Sequence, residues 1–399
     1  MSPRQPNEPR TVTAAGPLAQ EARDREADGG TRAVHGVSTS VTAFLGDAPG
    51  LPDGPVFARG PREFIETFLP DGAGGQARSF VRDAVLGHFR NGGGGVWVLG
   101  TADGGDRVAA YRSALAELER IPEITLVVAP DLWRVEEDAE RIAEAITEHC
   151  GRMGDRFALL HTRQGLAPDG MTGRPFGLGE PNARFAAVYY PWITVTGTDG
   201  DERLVPPSGH VSGLYCRVDA EQGVHQAPVG ALLGVVKHER ELSDDERESV
   251  GGMGVNCLRS FPGQGIRVVG ARTLSTEPDW THIGVRRLVG HVRKSLEEGI
   301  RWAAAEPDDA RLRAGVQRSA TAFLKDLWDR GALHGRSADQ AFSVVCEKGD
   351  TSGDTSGDTA RSALHLDVGL AAVRPDEFIT FRVRQATAAG DARHKEGAV

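Results

Sequence analysis

Short apolar runs alternate regularly with amphipathic segments from Gly36 to about residue 160, and this alternation constrains the fold more than any other feature. The apolar runs at 96–99, 125–129 and 157–160 have the length of buried strands. The segment 134–150 repeats apolar residues at helical spacing and carries acidic residues in its first turn. This pattern predicts an α/β layer with a mixed, largely parallel sheet and flanking helices.

The chain changes character near residue 253, where we predict the start of a C-terminal α+β domain. The apolar runs 255–258 and 266–270 come first, and two long amphipathic segments follow. Each of these segments has one apolar stripe at helical spacing and therefore predicts a helix that packs on a core. The stripes consist of Val285, Leu288, Val289, Val292, Leu296, Ile300 and Ala303 in the first helix, and of Leu312, Val316, Ala320, Phe323 and Leu327 in the second.

The two ends of the chain are polar and poor in large apolar side chains. We therefore predict a flexible N-terminal arm at 1–35, an α/β domain at 36–252, a C-terminal domain at 253–385 and a disordered tail at 386–399. The last predicted strand covers 378–384, in which apolar and polar residues alternate with a period of two.

Bulk properties exclude several classes of protein. The 399 residues carry a formal net charge of −10, which argues against nucleic acid as the main partner because phosphate contacts need a basic surface. Four cysteines lie far apart without a CxxC pair, so neither a zinc site nor a disulfide framework is expected. No apolar window reaches the length of a signal peptide or a membrane span, and we expect a cytoplasmic protein without direct membrane insertion.

The sequence contains none of the common catalytic signatures. The sequence lacks a P-loop, an HExxH helix and a GxSxG elbow, so we expect neither an enzyme nor a cofactor or metal site. The GxG pieces at 252–254 and 263–265 precede apolar strands, whereas a dinucleotide fingerprint leads from a strand into a helix. The repeat GDTSGDTSGDT at 349–359 lacks the nine-residue period of calcium-binding repeats, and a polar loop is the favoured interpretation.

The middle of the chain gives three further predictions. We expect a strand at 185–195 and a polar connection at 239–250. Ser208 and His210, in the stretch PPSGHVSG, have the residue types of a nucleophile and its base. A turn fixed by the two prolines is the favoured interpretation.

Eight segments in order make the chain resemble the tail sheath proteins of contractile phages and related injection systems. They are GVSTSVTAFLG at 36–46, GGGVWVLG at 93–100, YYPWITV at 189–195, VPPSGHVSGLYCRVD at 205–219, GVHQAPVGALLGVV at 223–236, GVNCLRSFPGQGIRVVGARTLS at 254–275, RRLVGHVRKSLEEGIRWAAAEPDDARL at 286–312 and VRPDEFITFRVRQ at 373–385. Two regions depart from the family pattern. A polar stretch, EARDREADGGTRAVHG, stands where relatives often have a motif like PGVYVEE, and the GDTSGDTSGDT loop differs from the family's acidic loop.

The resemblance implies a structural subunit that forms hexameric rings, stacks them helically around an inner tube protein and contracts to drive the tube outward. It further implies baseplate and cap proteins as partners, with an AAA+ ATPase as an additional candidate. The nearest alternative is a sheath-like baseplate or terminal paralogue that does not polymerise, and an α/β hydrolase is a more distant one.

The resemblance also assigns roles to two sets of residues. Subunits of this family are linked by strands that neighbours exchange. The C-terminal candidate for such a link comprises Phe378, Ile379, Thr380, Phe381, Arg382, Val383 and Arg384; the N-terminal candidate is 10–14 or the stretch before Val37. A contact with an acidic tube is predicted for Arg286, Arg287, Arg293, Lys294 and Arg301. A solvated helix face balanced by Glu297, Glu298 and Glu306 is an equal alternative for these basic residues.

Overall fold

The computed structural model describes residues 32–47, 50–68, 79–101, 105–197, 200–349 and 363–387. The strands are β1 Thr42–Gly46, β2 Val56–Ala58, β3 Val96–Gly100, β4 Leu126–Val128, β5 Phe157–His161, β6 Ala186–Tyr190, β7 Ile193–Thr196, β8 Glu202–Val205, β9 Gly230–Ala231, β10 Val235–His238, β11 Val255–Phe261, β12 Gly265–Val269, β13 Phe342–Lys348, β14 Ala363–Arg374 and β15 Glu377–Ala386. The helices are α1 Pro61–Phe68, α2 Phe80–Arg90, α3 Arg107–Leu118, α4 Glu136–Met153, α5 Ser208–Gln222, α6 Asp244–Gly252, α7 Ile283–Gly299, α8 Ala310–Asp329 and α9 Ala338–Ala341.

A nine-stranded sheet forms the centre of the large domain, in the order β2-β3-β1-β4-β5-β6-β11-β12-β9. Its six middle strands run parallel, and the strands added at the two ends are antiparallel. Helices cover both faces, because successive strand residues point to opposite sides: Phe44 packs in one apolar cluster and its neighbour Leu45 in the other. The predicted α/β class and largely parallel sheet are confirmed.

The predicted domain boundary near residue 253 is wrong, because it lies one β-hairpin too early in the chain. β11 pairs in parallel with β6, with Val255 opposite Val188, and β12 continues the same sheet. An apolar run of this kind indicates a buried strand without indicating which sheet it joins, so sequence assigned 255–269 to the wrong domain.

The small domain consists of the antiparallel sheet β13-β14-β15 with α7 and α8 packed against one of its faces. Both predicted helical stripes lie in this core, which confirms the two amphipathic helices. Val34 is also part of the core, and Arg32 lies over the ring of Trp302 at 4.8 Å. Arg32 and Val34 are therefore packed against the domain, which corrects the predicted extent of the flexible arm. At the other end, Thr387 is only 3% exposed, so the ordered chain continues past the predicted boundary at 386.

The predicted strand at 185–195 is two strands in different sheets. β6 joins the nine-stranded sheet, whereas β7 pairs with β8 and β10 in a small antiparallel sheet. Pro191 lies between them and lacks the N–H that a continuous ladder requires. The predicted connection at 239–250 contains the start of α6, which opens with a capping box formed by Ser243 and Glu246.

Candidate assembly surface and domain junction

β15 contains the predicted linking residues, and the structure confirms their alternation. Ile379 and Val383 are buried at 8% and 1% exposure, while Thr380, Arg382 and Arg384 are exposed. The strand pairs along its length with β14, from Ala363 opposite Ala386 to Leu370 opposite Ile379. Within the described ranges no strand pairs with its other edge. The linking role itself stays a prediction.

The exposed face of this sheet carries a bidentate ion pair across β14 and β15. Arg382 donates from Nε and Nη2 to the two carboxylate oxygens of Asp367, at 2.6 and 2.7 Å. Hydrogen bonding to Arg382 lowers the pKa of Asp367. Charged side chains beside an open edge discourage indiscriminate strand pairing.

Arg287 of α7 is the centre of the junction between the two domains. It donates from Nη1 and Nη2 to the two carboxylate oxygens of Asp219 in α5, at 2.8 and 2.6 Å. Its Nη2 also donates to the Thr39 carbonyl oxygen at 2.8 Å, and the Thr39 hydroxyl donates to Asp219 at 2.7 Å. The guanidinium lies 4.8 Å from the ring centroid of Tyr215. The charged groups of this cluster are thus paired with one another inside the subunit.

Arg286 is buried next to it in a different environment. Its guanidinium lies 4.6 Å from the ring centroid of Phe185 and 4.8 Å from that of Trp280, and its Nη2 donates to the Gly154 carbonyl oxygen at 3.1 Å. Burial, together with two nearby arginines, lowers the pKa of Arg286 to about 9. This side chain faces the interior of the molecule.

Of the remaining predicted tube-contact residues, two form ion pairs within the subunit and one is exposed to solvent. Lys294 Nζ lies 3.2 Å from the Asp155 carboxylate, and Arg293 Nε lies 3.0 Å from the Glu297 carboxylate. Arg301 is exposed. The predicted single basic face is therefore wrong for Arg286 and Arg287, which are each 7% exposed. The physical reason is that α7 lies between two domains and is covered on two sides. Contact with a tube stays a prediction for the rest.

The stretch PPSGHVSG is the beginning of α5, which corrects the predicted turn. The residues after Pro207 form a helix with ten buried residues, and Pro207 occupies its N-cap position. Ser208 Oγ lies 3.2 Å from His161 Nδ1, a hydrogen bond between two side chains that are both 0% exposed. Burial lowers the pKa of His161 to about 3. The hydrogen bond joins α5 to β5 in the interior of the large domain.

Several smaller features of the chain concern metal ligands, membrane spans, cysteines and the GxG pieces. The described parts of the chain contain no cluster of three metal-ligating residues and no helix that is long and apolar enough to cross a membrane. The four cysteines are free thiols. Both GxG pieces precede strands, as predicted. The N-terminal linking candidate at 10–14 and residues 350–359 of the GDTSGDTSGDT loop lie outside the described residues.

This large parallel sheet followed by a small antiparallel one is the fold of contractile sheath proteins. The helical sheath of the anti-feeding prophage in its contracted state matches with a TM-score of 0.69 and 25% identity, over 90% of this chain and 96% of that one. A chain from the six-fold symmetrised baseplate of the same particle matches with a TM-score of 0.65 and 25% identity, at the same coverage.

Family models extend this likeness to the sequence. The central-domain model of phage tail sheath proteins matches residues 105–274, and the C-terminal-domain model matches residues 275–386. The chain belongs to the phage tail sheath protein family. The tail sheath protein of Vibrio phage KVP40 is 26% identical over 151 residues, which is 37% of this chain and 22% of that protein. A putative prophage major tail sheath protein of Pseudomonas aeruginosa is 26% identical over 136 residues, or 33% of this chain and 35% of that protein. The aligned regions thus cover about a fifth and a third of these relatives.

Proposed function

We propose that this protein is a non-catalytic sheath subunit that polymerises as stacked six-membered rings around an inner tube and contracts to drive the tube outward. The observation that carries the proposal is the match over nearly the whole of both chains to a helical sheath in its contracted state. The absence of catalytic sequence motifs and the complete burial of the Ser208–His161 pair support a structural role.

The open edge of β15 is the proposed attachment point for a neighbouring subunit. A strand added there would form main-chain hydrogen bonds, each worth about 1 kcal/mol net. Such bonds persist while subunits rotate, provided that the chain leading to the added strand is flexible. The open edge at the rim of the small domain supports this arrangement.

Electron microscopy of the purified protein tests polymerisation directly. We expect striated hollow tubes from the full chain, and monodisperse particles would contradict the proposal. Deletion of residues 388–399 spares β15 and its buried residues, so it tests the terminal segment without removing part of the core. If neighbours exchange this segment, tube formation is lost while the melting temperature of the subunit stays unchanged. Tubes of normal length after this deletion would exclude residues 388–399 as the exchanged segment.

Contact with an acidic tube is proposed for the exposed part of the basic region. Arg301 is the cleanest probe, because Lys294 is held by Asp155 and its reversal would disturb the domain junction. Arg301→Glu should weaken sheath assembly on isolated tubes at low salt. The difference between the variant and the wild type should diminish at high salt, because salt screens the contact in the wild type. Assembly equal to that of the wild type at low salt would contradict this assignment.

A baseplate-associated paralogue is the second candidate, favoured by the match to a chain of the prophage baseplate. The two candidates differ in one observable property. A sheath subunit adds ring after ring along the whole tube, whereas a baseplate paralogue forms a single ring at a tube end. Electron microscopy in the presence of tubes separates these outcomes.

A further inference from the structure

A groove of about 450 Å³ lies along α2 of the large domain, between this helix, the residues that lead into α1 and the end of β7. Its apolar lining includes Leu86 and Phe89 of α2 and Val195 of β7. Arg59 and Arg90 also line the groove, and both are exposed. The groove therefore combines an apolar floor with cations that a partner can reach from solvent.

The lining of this groove has an excess of positive charge. It contains a third arginine, Arg82, and a single carboxylate, that of Asp83. The Asp83 carboxylate already lies 3.6 Å from Nη1 of Arg203. His210 also lines the groove and is neutral at pH 7, because burial lowers its pKa to about 3. A surface of this kind is suited to an acidic occupant.

The two exposed arginines keep their charges available. Within the described ranges neither Arg59 nor Arg90 forms an ion pair. Glu63 is the acidic residue closest to the first of them in the chain, and its Oε2 accepts from the Arg59 main-chain N–H at 2.8 Å. The side chain of Arg90 lies against Gly234, which has no charge to offer. Both guanidinium groups can therefore pair with a carboxylate from outside the subunit.

The chain itself contains one segment whose charge complements the groove. Of the longer stretches outside the described ranges, residues 1–31 contain five acidic and four basic residues, residues 69–78 contain one of each, and residues 388–399 contain two of each. Residues 350–362 contain three aspartates and one arginine, and that arginine lies outside GDTSGDTSGDT. This stretch at 349–359, the acidic repeat, therefore has three negative charges and no positive one.

The acidic repeat also matches the groove in spacing and bulk. Its aspartates are four residues apart, which is about 13 Å in an extended chain. Arg82 and Arg90 are eight residues apart on α2, which is about 12 Å along the helix axis. The other residues of the repeat are glycine, serine and threonine, so no large side chain obstructs entry. In an extended chain each threonine points away from the preceding aspartate, and its methyl group can contact an apolar floor.

The place of the acidic repeat in the fold favours a groove on another copy. The repeat connects β13 to β14, and Leu364 belongs to the last residue pair before it. The other end of β14 lies beside the large domain, because the Ala371 carbonyl oxygen accepts from the His334 N–H at 2.9 Å and the nearby Ala332 lines a cleft together with His225. Seven residues of strand separate the two ends, which is about 23 Å. The repeat thus starts far from the end of the hairpin that meets its own large domain.

We propose that the acidic repeat of one copy docks in the groove of a neighbouring copy, with its aspartates against the arginines of the groove. This contact rests on the proposed function, since it needs subunits that assemble side by side. Exposed charge pairs are individually weak and are screened by salt, so the contact can be released when subunits rearrange.

Fluorescence anisotropy of a labelled peptide tests recognition by the groove. The probe is the peptide GDTSGDTSGDT, and the receptor is the full chain carrying Asp350→Asn, Asp354→Asn and Asp358→Asn, in which no acidic repeat competes. We expect saturable binding at low salt that weakens as salt rises, and binding of the peptide GNTSGNTSGNT that is weaker by about tenfold or more. Absent binding, or equal binding of the two peptides, would overturn the proposal.

Two further variants of this receptor locate the binding. Arg90→Met should weaken binding of the acidic peptide about fivefold or more, because it removes a cation from the groove. Arg62→Met removes an exposed arginine of α1 that does not line the groove and should leave the affinity unchanged. If Arg90→Met fails to fold, Arg59→Met replaces it, since Arg59 is exposed. Wild-type affinity in the groove variant, or the same loss in Arg62→Met, contradicts the assignment.

The wild-type chain distinguishes a neighbour's repeat from the subunit's own. At concentrations where it is monomeric, the wild type should bind the peptide as tightly as the triple asparagine variant does. Much weaker binding would show that each subunit fills its own groove, which contradicts a contact between copies. In electron microscopy at low salt the triple variant should form fewer and shorter tubes than the wild type, and equal tubes would also contradict the contact. If the wild type itself forms no tubes, the proposed function fails, and the peptide result still decides whether the groove recognises the repeat.

Discussion

Arg287 and Asp219 form a bidentate ion pair across the junction of the two domains, and both side chains are only 4% exposed. The pair joins α7 to α5, and Thr39 bonds to both of its members. Planar guanidinium and carboxylate groups that meet in this way fix orientation as well as distance. The pair therefore holds α7 of the small domain against α5 of the large one.

Breaking this pair should be strongly destabilising. Arg287→Met leaves the Asp219 carboxylate buried without a counter-charge, with the Thr39 hydroxyl still donating to it, and the expected loss in the free energy of unfolding is about 3 to 5 kcal/mol. Urea denaturation measures the loss. The matched control is Arg62→Met, which breaks an exposed i,i+4 pair with Glu66 and should cost less than about 1 kcal/mol. Similar losses in the two variants would show that the buried pair has no special role.

Two glycines of α5 permit an unusually close approach to α2. A β-carbon at Gly209 would lie 2.3 Å from the α-carbon of Ala84, and one at Gly213 would lie 2.2 Å from the His88 carbonyl oxygen. Gly213→Ala must push the helices apart and should cost about 1 to 3 kcal/mol. Gly251→Ala in α6 is the control, since its added methyl meets no atom within 4 Å and should be neutral or slightly stabilising. Thermal unfolding compares the two, and equal melting temperatures would contradict the packing argument.

The sequence predicted those helices and strands whose own residues show a periodic apolar pattern. The stripe from Val285 to Ala303 and the alternation in β15 were both visible because each has one apolar face. The sequence did not predict α5, because ten of its residues are buried and it therefore has no amphipathic period. The sequence pattern could not predict that Arg286 and Arg287 are buried, because it shows the spacing of charges but not which domain will cover them.

Acid should destabilise the subunit steeply, because five histidines are held in the neutral form by burial. Burial lowers the pKa of His88 and His291 to about 4, and of His149, His161 and His210 to about 3. The unfolded chain takes up these protons below about pH 6.5 while the folded chain does not, so stability is present above that pH and falls as the pH decreases. Asp131 acts in the opposite direction, because burial raises the pKa of its carboxyl to about 6 and the folded chain then takes up a proton near pH 5 that the unfolded chain does not. With five histidines and this one opposing carboxyl, the slope approaches roughly 5 kcal/mol per pH unit near pH 5.

Urea midpoints measured from pH 7.5 to 4.5 check this dependence. His88→Gln removes one of these groups and should make the decline shallower by about 1 kcal/mol per pH unit, whatever its effect on stability at pH 7.5. Stability that stays constant across the range would contradict the burial of neutral imidazoles as the cause.

Adjacent residues of β15 should respond in opposite ways to truncation, because they lie on opposite faces of its sheet. Ile379→Ala removes a buried side chain from the core of the small domain and should cost about 2 to 5 kcal/mol, the range for such cavities. Thr380→Ala changes an exposed side chain one position along and should lie within about 0.5 kcal/mol of the wild type. Hydrogen exchange of the β14 and β15 amides reports the small domain separately from the large one. Comparable exchange rates in the two variants would show that the strand is not anchored by its apolar face, and its outer edge would then lack the fixed position that a neighbouring strand needs.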